Sequence, residues 1–219
     1  MPDPHPLPAG DFLEWLGQLR LALRDQGPTD VPCGSCTGCC TSSQFVHVEP
    51  DEVEALAAIP SALLFPAPRL PAGHLLLGYD ERGHCPMLVD GACSIYEQRP
   101  RTCRTYDCRV LAATEVRLDD PTRSSIAERV DRWRFGHPTA ADDRAHRAAR
   151  AAAAYLDAHP EVLPPDAPRP GTAQRAVLAL GIHEAFLPPT AETAGETGDA
   201  VWPDVATVEV AVARHLGSA

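Results

Sequence analysis

The sequence predicts an α+β protein that is mostly α, with a small loop-rich cysteine domain containing short strands, packed against a helical C-terminal part. Two observations lead to this class. All eight cysteines lie between Cys33 and Cys108, in a stretch broken by prolines and glycines. Beyond Cys108, arginine- and alanine-rich stretches have the apolar spacing of amphipathic helices. We therefore expect the cysteines and the long helices to occupy different parts of the chain.

Composition divides the chain into four predicted segments. Residues 1–10 form a flexible proline-rich tail, and residues 11–110 form a cysteine-cluster metal-binding domain. Residues 111–187 form a helical region, and residues 188–219 form a linker with a C-terminal element. The chain has 219 residues and 44% hydrophobic content, which is enough to bury a core.

Apolar spacing and proline positions predict the elements of the N-terminal half. They are a helix from Asp11 to about residue 26, ended by Gly27 and Pro28, then a strand at 44–49, a helix from Pro50 to 58 and a strand at 75–77. The first helix should bury one apolar face, formed by Phe12, Trp15, Leu16, Leu19 and Leu23.

A hairpin is predicted between Cys85 and Cys93. Asp90 and Gly91 stand between two short apolar pieces, and a type I′ turn needs positive φ at both central positions. This turn would bring Cys85 and Cys93 close together. After it, residues 95–103 form a helical turn that Pro100 interrupts.

Three helices are predicted after the cysteines. Ser124 or Ser125 caps the first helix, which has Ile126, Val130 and Trp133 on its buried side. Thr139 caps the second helix, which extends through Asp157. The third helix spans 172–187. Residues 188–200 have the composition of a linker, and residues 205–212 fit a strand or a helix equally.

Charge and hydropathy exclude several classes of protein. The net charge of −11 disfavours nucleic-acid binding, and no apolar run is long enough for a membrane span. The N-terminus lacks the basic start and apolar run of a secretory signal, so we expect a cytoplasmic protein. All nineteen basic residues are arginine, which excludes lysine-dependent chemistry.

The cysteine spacing indicates a metal site. Cys33, Cys36 and Cys39 are each separated by two residues, a spacing that turns sulfurs toward one centre. Disulfides fit poorly, because they belong to exported chains and because the adjacent Cys39 and Cys40 are too close to pair comfortably. Neighbouring side chains diverge, so Cys39 and Cys40 either serve two centres, or one is a ligand and the other a packed thiol.

The pattern extends beyond the loop and resembles a known family. The matching residues are Cys33, Cys36, Cys39 and Cys40, then Cys85-Pro86, Leu88, Gly91, Cys93, Ile95-Tyr96, Arg99-Pro100 and Cys103-Arg104. They resemble the YkgJ-type cysteine-cluster family, also called the CxxCxxCC zinc- or iron-chelating domain. The resemblance covers residues 33–108 and implies metal chelation; a related branch resembles flagellin lysine methylases with an iron–sulfur cluster. Cys108 lies beyond the core of the pattern.

The candidate ligands are therefore all eight cysteines, and two cofactors fit them. An iron–sulfur cluster would use Cys33, Cys36 and Cys39 with a fourth thiolate from Cys85, Cys93 or Cys103. Zinc would join Cys33 and Cys36 to two later cysteines. Histidines near the cysteines, His47 and His84, are expected to be surface residues. Arg99 and Arg104 are candidates to donate to sulfur or to an anion, with an Arg99–Glu97 ion pair as the alternative.

Three functional hypotheses follow. The first is a metal-binding module in which the metal is structural, or is held for storage or delivery, with the helices supplying a surface for an unknown protein partner or substrate. The second is an iron–sulfur-dependent enzyme that modifies proteins or transfers electrons. The third is a thiol redox sensor, which requires Cys39 or Cys40 to be partly exposed, with a low pKa.

Overall fold

The computed structural model describes residues 5–24, 31, 33–165, 169–188 and 201–217. It is 51% helical and 12% strand, which confirms the predicted α+β, mostly α class. The chain forms two compact units: unit 1 takes Met1–Arg24, Cys108–Arg117 and Val130–Ala219, and unit 2 takes Asp25–Asp107 and Leu118–Arg129. Each unit uses separate stretches of chain, whereas the predicted divisions at residues 10, 110 and 187 follow the sequence and stay predictions.

Helices and strands are numbered along the chain. The helices are α1 (Phe12–Ala22), α2 (Val53–Ala58), α3 (Arg101–Thr105), α4 (Arg109–Thr114), α5 (Ser124–Val130), α6 (Ala140–Ala158), α7 (Thr172–Ile182) and α8 (Val205–Gly217). The strands are β1 (Leu7–Asp11), β2 (Val46–Val48), β3 (Leu64–Pro66), β4 (Leu75–Leu77), β5 (Leu88–Val89), β6 (Ala92–Cys93) and β7 (Trp133–Gly136). None of the helices in the described part of the chain has the length and hydropathy needed to cross a membrane.

Unit 1 begins with a two-stranded parallel sheet, β1 beside β7. Residues 7–10 thus form a strand where a flexible tail was predicted, and Trp133 starts a strand where it was assigned to a helix. The physical reason is long-range pairing: the amide of Leu7 donates to the carbonyl of Arg132 at 2.8 Å, and the Arg109 guanidinium donates to the carbonyl of Ala9 at 3.0 Å. The residues near position 7 in the sequence do not predict either of these contacts.

Three helices of unit 1, α1, α6 and α7, lie where helices were predicted, although α7 ends at Ile182 and a 3-10 turn, His183–Phe186, completes the predicted span. α4 was not predicted. α1 buries Phe12, Trp15, Leu16 and Leu19, while Leu23 just past its end is 49% exposed. A capping box between Thr139 and Asp142 opens α6, and the small residues Ala148, Ala149 and Ala152 let this helix approach α7 closely. The ambiguous C-terminal stretch is a helix, α8, which buries Val208 and Val212. Val208 and Val212 lie four residues apart, so they share one helix face.

Unit 2 contains a three-stranded antiparallel sheet in the order β2-β4-β3. Its apolar cluster is small, with Val48, Ala55, Ile59, Leu77, Met87 and Ile95 buried and with Cys85 and Cys93 packed against them. The predicted hairpin is present as β5 and β6, with positive φ of 50° at Asp90 and 77° at Gly91.

Several predicted boundaries differ from the structure. α2 begins at Val53 instead of Pro50. The helical turn at 95–103 is a 3-10 turn at Tyr96–Gln98 followed by α3, with the buried Pro100 capping α3. α1 ends at Ala22, and Leu23 and Arg24 form a turn, so the first helix is shorter than the predicted span to about residue 26. The predicted stop at 27–28 and most of the predicted linker, residues 189–200, lie outside the described residues.

Candidate metal centre

The first four cysteines lie on a tight loop of unit 2. The amide of Cys36 donates to the carbonyl of Cys33 at 3.0 Å, and the amide of Gly38 approaches Cys36 Sγ at 3.5 Å. Cys39 and Cys40 then sit on a 3-10 turn, Gly38–Thr41. The loop therefore places one amide hydrogen, that of Gly38, toward a sulfur, an arrangement that suits a thiolate ligand.

Gly38 has a steric reason to be glycine. A Cβ atom at this position would lie 3.2 Å from the carbonyl oxygen and 3.3 Å from the carbonyl carbon of Ser125, at the start of α5. These are backbone atoms, which cannot rotate away as a side chain can. The loop thus packs directly against the main chain of α5.

Cys85 is joined to this loop through the main chain. Its amide donates to the carbonyl of Cys40 at 2.7 Å. The backbone amides of Met87 and Leu88 hydrogen-bond the Cys85 thiol, an arrangement that stabilises thiolate. The β5–β6 hairpin then pairs Cys93 with Leu88, so Cys93 returns toward Cys85 as predicted.

Cys103 is positioned by α3, and hydrogen bonds to the Thr102 side chain and to the N-terminal amide of this helix hold it in place. The hydroxyl of Thr102 donates to the carbonyl of His47 at 2.8 Å. The buried Glu52 carboxylate accepts hydrogen bonds from the amide of Arg101 and, at 2.9 Å, from the amide of Glu49. The Arg104 guanidinium lies 3.8 Å from the same carboxylate. Glu52 thereby connects α3, the helix that carries Cys103, to the start of α2.

Four thiols, those of Cys40, Cys85, Cys93 and Cys103, form one electrostatic cluster. Burial, and then the neighbouring thiols of Cys85 and Cys93, raises the pKa of Cys40 to about 11. Burial, and then Cys85, Cys40 and Cys93, raises the pKa of Cys103 to about 12. Burial also raises the pKa of Cys85, with Cys93 contributing in the same direction. The four thiols therefore influence each other although they come from separate segments.

Cys33 and Cys36 adjoin this cluster. Burial and the charge of Cys36 raise the pKa of Cys33, whereas Arg129 and Arg99 act in the opposite direction. Arg129 also donates to the carbonyl of Cys33 at 3.2 Å. Since both thiols contribute to the raised pKa of Cys40, six of the eight predicted ligands share one neighbourhood.

The two remaining predicted ligands have different surroundings. Cys39 is exposed, as is Cys103, and it lies beside Cys40, whose pKa is raised by Cys85 and Cys93. Cys108 belongs to unit 1, is 8% exposed and accepts a hydrogen bond of 3.3 Å from the indole of Trp133. Whether all eight cysteines bind metal stays a prediction.

Other side chains near the cysteines show which sequence assignments hold. Arg99 lies over the Tyr96 ring at 3.8 Å and donates to the carbonyl of Tyr96 at 2.8 Å, so its local partner is Tyr96. Its positive charge also acts against the rise in the pKa of Cys33 and of Cys103. His47 pairs with His74 across 3.0 Å.

The contributions of Glu52 and Arg129 were missed by sequence reasoning. Each lies far along the chain from the cysteine that it supports, and neither belongs to a local motif. Only the tertiary structure pairs Glu52 with α3 and Arg129 with Cys33.

The donor set suits a thiophilic metal. Four clustered thiols match the ligand number of a tetrahedral zinc site or of one iron–sulfur cluster. Among the residues that the structure describes, however, no three Cys, His, Asp or Glu side chains converge closely enough to hold an ion. An ion would therefore have to draw the thiols together and displace their protons.

Comparison with known proteins agrees with the cysteine pattern. The family model CxxCxxCC, described as "Putative zinc- or iron-chelating domain", matches residues 32–121, a segment that includes all eight cysteines. No curated protein and no solved structure matches the chain. Residues 32–121 thus carry the CxxCxxCC domain, and the resemblance predicted from the cysteine spacing is confirmed.

Proposed function

We propose that this chain binds zinc or an iron–sulfur cluster through Cys40, Cys85, Cys93 and Cys103, and that the metal holds unit 2 together. The observation that carries the proposal is that four thiols from four separate segments lie near enough to raise each other's pKa. The Cys85–Cys40 main-chain bond, the β5–β6 hairpin and the Glu52 contacts each position one of these segments.

Bound metal would supply cross-links that the polypeptide lacks. In the described part of unit 2 the apolar cluster has six buried residues with seven partly buried ones packed against them, a small core for a unit with long loops. A metal bound to four thiolates would connect the CxxCxxCC loop, the segment before β5, the strand β6 and the helix α3. Much of the metal-binding free energy would then be folding free energy.

The surroundings of the thiols support metal ligation chemically. The amides of Met87 and Leu88 can stabilise a thiolate at Cys85, and the positive charge of Arg99 acts on Cys103. Both offset the negative charge that four thiolates bring to one site. A structural metal, or one held for storage or delivery, needs only these groups.

The redox-sensor hypothesis receives less support at Cys40, one of its two candidate thiols. A sensor thiol needs a low pKa, so that the nucleophilic thiolate is present at neutral pH. At Cys40 the pKa is raised to about 11, which leaves the thiol protonated. Since thiols with raised pKa react slowly with oxidants, Cys40 is better suited to binding a metal that displaces its proton. The enzyme hypothesis stays a prediction.

Two adjacent cysteines give a matched test of this proposal. Cys40→Ser and Cys39→Ser each replace one sulfur atom by oxygen at neighbouring positions. Of these two residues, Cys40 is the one in the four-thiol cluster. Each variant and the wild type are purified without oxygen, and zinc, iron and labile sulfide are measured per chain. We expect Cys40→Ser to lose most of the metal and Cys39→Ser to keep it. Equal loss in both variants, or loss only in Cys39→Ser, would refute the proposed ligand set.

A further inference from the structure

Unit 1 contains an open groove whose lining includes none of the candidate metal ligands. It has a volume of about 1110 Å³ and runs between α1 and α8, with α7 as its floor. This volume lies just above the range for small-molecule sites, roughly 300–1,000 Å³. All of its lining residues belong to unit 1.

The walls of the groove are mainly apolar. α1 contributes Leu16 and Leu19, α7 contributes Leu180, and α8 contributes Val210 and Ala211. Val210 is 56% exposed, although Val208 and Val212 on the same helix are fully buried. α8 therefore has a second apolar face, with Val210 and Ala211, which lines the groove.

Cationic side chains line the same groove. Arg20, Arg24 and Arg214 all belong to its lining. Arg20 is engaged by Glu184 at 3.1 Å, whereas no acidic group in the described part of the chain pairs with Arg24 or Arg214. The second acid of the lining, Asp204, accepts a hydrogen bond of 2.7 Å from the amide of Thr207. In a chain with a net charge of −11, this groove thus carries a local excess of positive charge.

His215 fixes the wall formed by α8. Its ring occupies the space that a Cβ atom at Gly181 would need, so this placement of the ring against α7 requires glycine at position 181. Burial lowers the pKa of His215, and the charges of Arg20 and Arg24 act in the same direction. The guanidinium groups of Arg20, on α1, and of Arg24, just past its end, therefore lie near the end of α8.

We propose that this groove binds an amphipathic organic anion, an alkyl chain that ends in a carboxylate. The chain would lie along Leu16, Leu19 and Val210, where it removes apolar surface from water. Its carboxylate would meet Arg24 and Arg214, which offer charge-assisted hydrogen bonds. Charge complementarity selects an anion over a neutral or cationic ligand of the same length.

Calorimetric titration with dodecanoate, below its micelle concentration, tests this proposal. Dodecyltrimethylammonium, with an alkyl chain of the same length and the opposite charge, is the ligand control. We expect saturable binding of dodecanoate and much weaker binding of the cation. Equal binding of both, or no binding of dodecanoate, would overturn the proposal.

Two kinds of variant locate the ligand. Arg24→Gln and Arg214→Gln should each weaken dodecanoate binding by about fivefold to tenfold, the effect of one charge-assisted contact at a partly exposed site. Arg117→Gln makes the same charge change at an exposed residue outside the lining and should leave binding unchanged. Val210→Glu, on an exposed position, should abolish binding without unfolding the helix.

The alternative occupant is a second copy of the chain. Sedimentation of the wild type and of Val210→Glu distinguishes it. A monomer in both cases supports a ligand groove, whereas a wild-type dimer that Val210→Glu dissociates would overturn the proposal.

Discussion

The amide of Cys85 donates a hydrogen bond of 2.7 Å to the carbonyl oxygen of Cys40. The two residues are distant in sequence, yet their thiols also interact, since Cys85 is the first neighbouring charge that raises the pKa of Cys40. The main chain of Cys40 thus builds the site while its side chain belongs to the cluster. This double role distinguishes Cys40 from Cys39, which shares the same turn but is exposed.

Gly38→Ala should weaken the metal site through packing. The added methyl group would press on the backbone of Ser125, and overpacking of this kind costs about 1–3 kcal/mol. We expect the variant to release its metal to a chelator at a lower urea concentration than the wild type does. Gly34→Asn is the control, because Gly34 has open space and a φ of 57° that asparagine tolerates. Unchanged release from Gly38→Ala would contradict the close approach of the two backbones.

Glu52→Ala should loosen the helix that carries Cys103. It leaves the amides of Arg101 and Glu49 without their carboxylate acceptor, a loss of about 2–3 kcal/mol. In metal-free protein we expect Cys103 to be alkylated faster, as followed by mass spectrometry. Glu52→Gln keeps an acceptor oxygen and should lie between Glu52→Ala and the wild type. The same alkylation rate in all three proteins would show that Glu52 does not position α3.

His146 should make the stability of unit 1 depend on pH. Burial, and then the charges of Arg150 and His137, lowers its pKa to about 3, against about 6.5 in the unfolded chain. Between these values the unfolded chain binds a proton that the folded chain does not. His146 should therefore contribute its full amount to the free energy of unfolding above about pH 6.5. Below that pH the free energy of unfolding should fall by about 1.4 kcal/mol per pH unit because of this residue.

Fluorescence gives a direct readout of this pH dependence. All three tryptophans, Trp15, Trp133 and Trp202, lie in unit 1. Urea unfolding followed by tryptophan emission at pH 7 and at pH 5 should show a smaller pH effect in His146→Gln than in the wild type. A pH effect of the same size in both proteins would contradict the assignment to His146.

Cys108→Ala should preserve the metal. Cys108 belongs to unit 1 and accepts a hydrogen bond from Trp133, so its loss removes a buried contact worth about 1 kcal/mol. We expect unchanged metal content together with a small decrease in the urea midpoint reported by tryptophan fluorescence. A fall in metal content comparable to that of Cys40→Ser would instead make Cys108 a ligand.

Local signals predicted the parts of the fold that depend on neighbouring residues. The turn at Asp90 and Gly91, the capping residue Thr139 and the buried face of α1 are each encoded within a few positions. The pairing of β1 with β7 was missed because the residues that stabilise residues 7–10 lie far along the chain. The same reason hid Glu52 from the sequence-based list of site residues.

The cysteine pattern predicted the metal site but could not rank its ligands. Spacing treats Cys39 and Cys40 as near equals, and in the iron–sulfur interpretation it prefers Cys39. What separates them in the structure is long-range contact: the carbonyl of Cys40 accepts a hydrogen bond from the amide of Cys85, and Cys85 and Cys93 raise the pKa of the Cys40 thiol.

X-ray absorption at the metal edge of anaerobically purified protein tests the central claim most directly. Four thiolates around zinc, or thiolates and sulfides around iron, both place four sulfur atoms at about 2.3 Å from the metal. We predict a first shell of four sulfurs in the wild type and in Cys39→Ser, and its loss in Cys40→Ser. A shell dominated by nitrogen or oxygen, or no zinc or iron above the level of Cys40→Ser, would contradict the four-cysteine site.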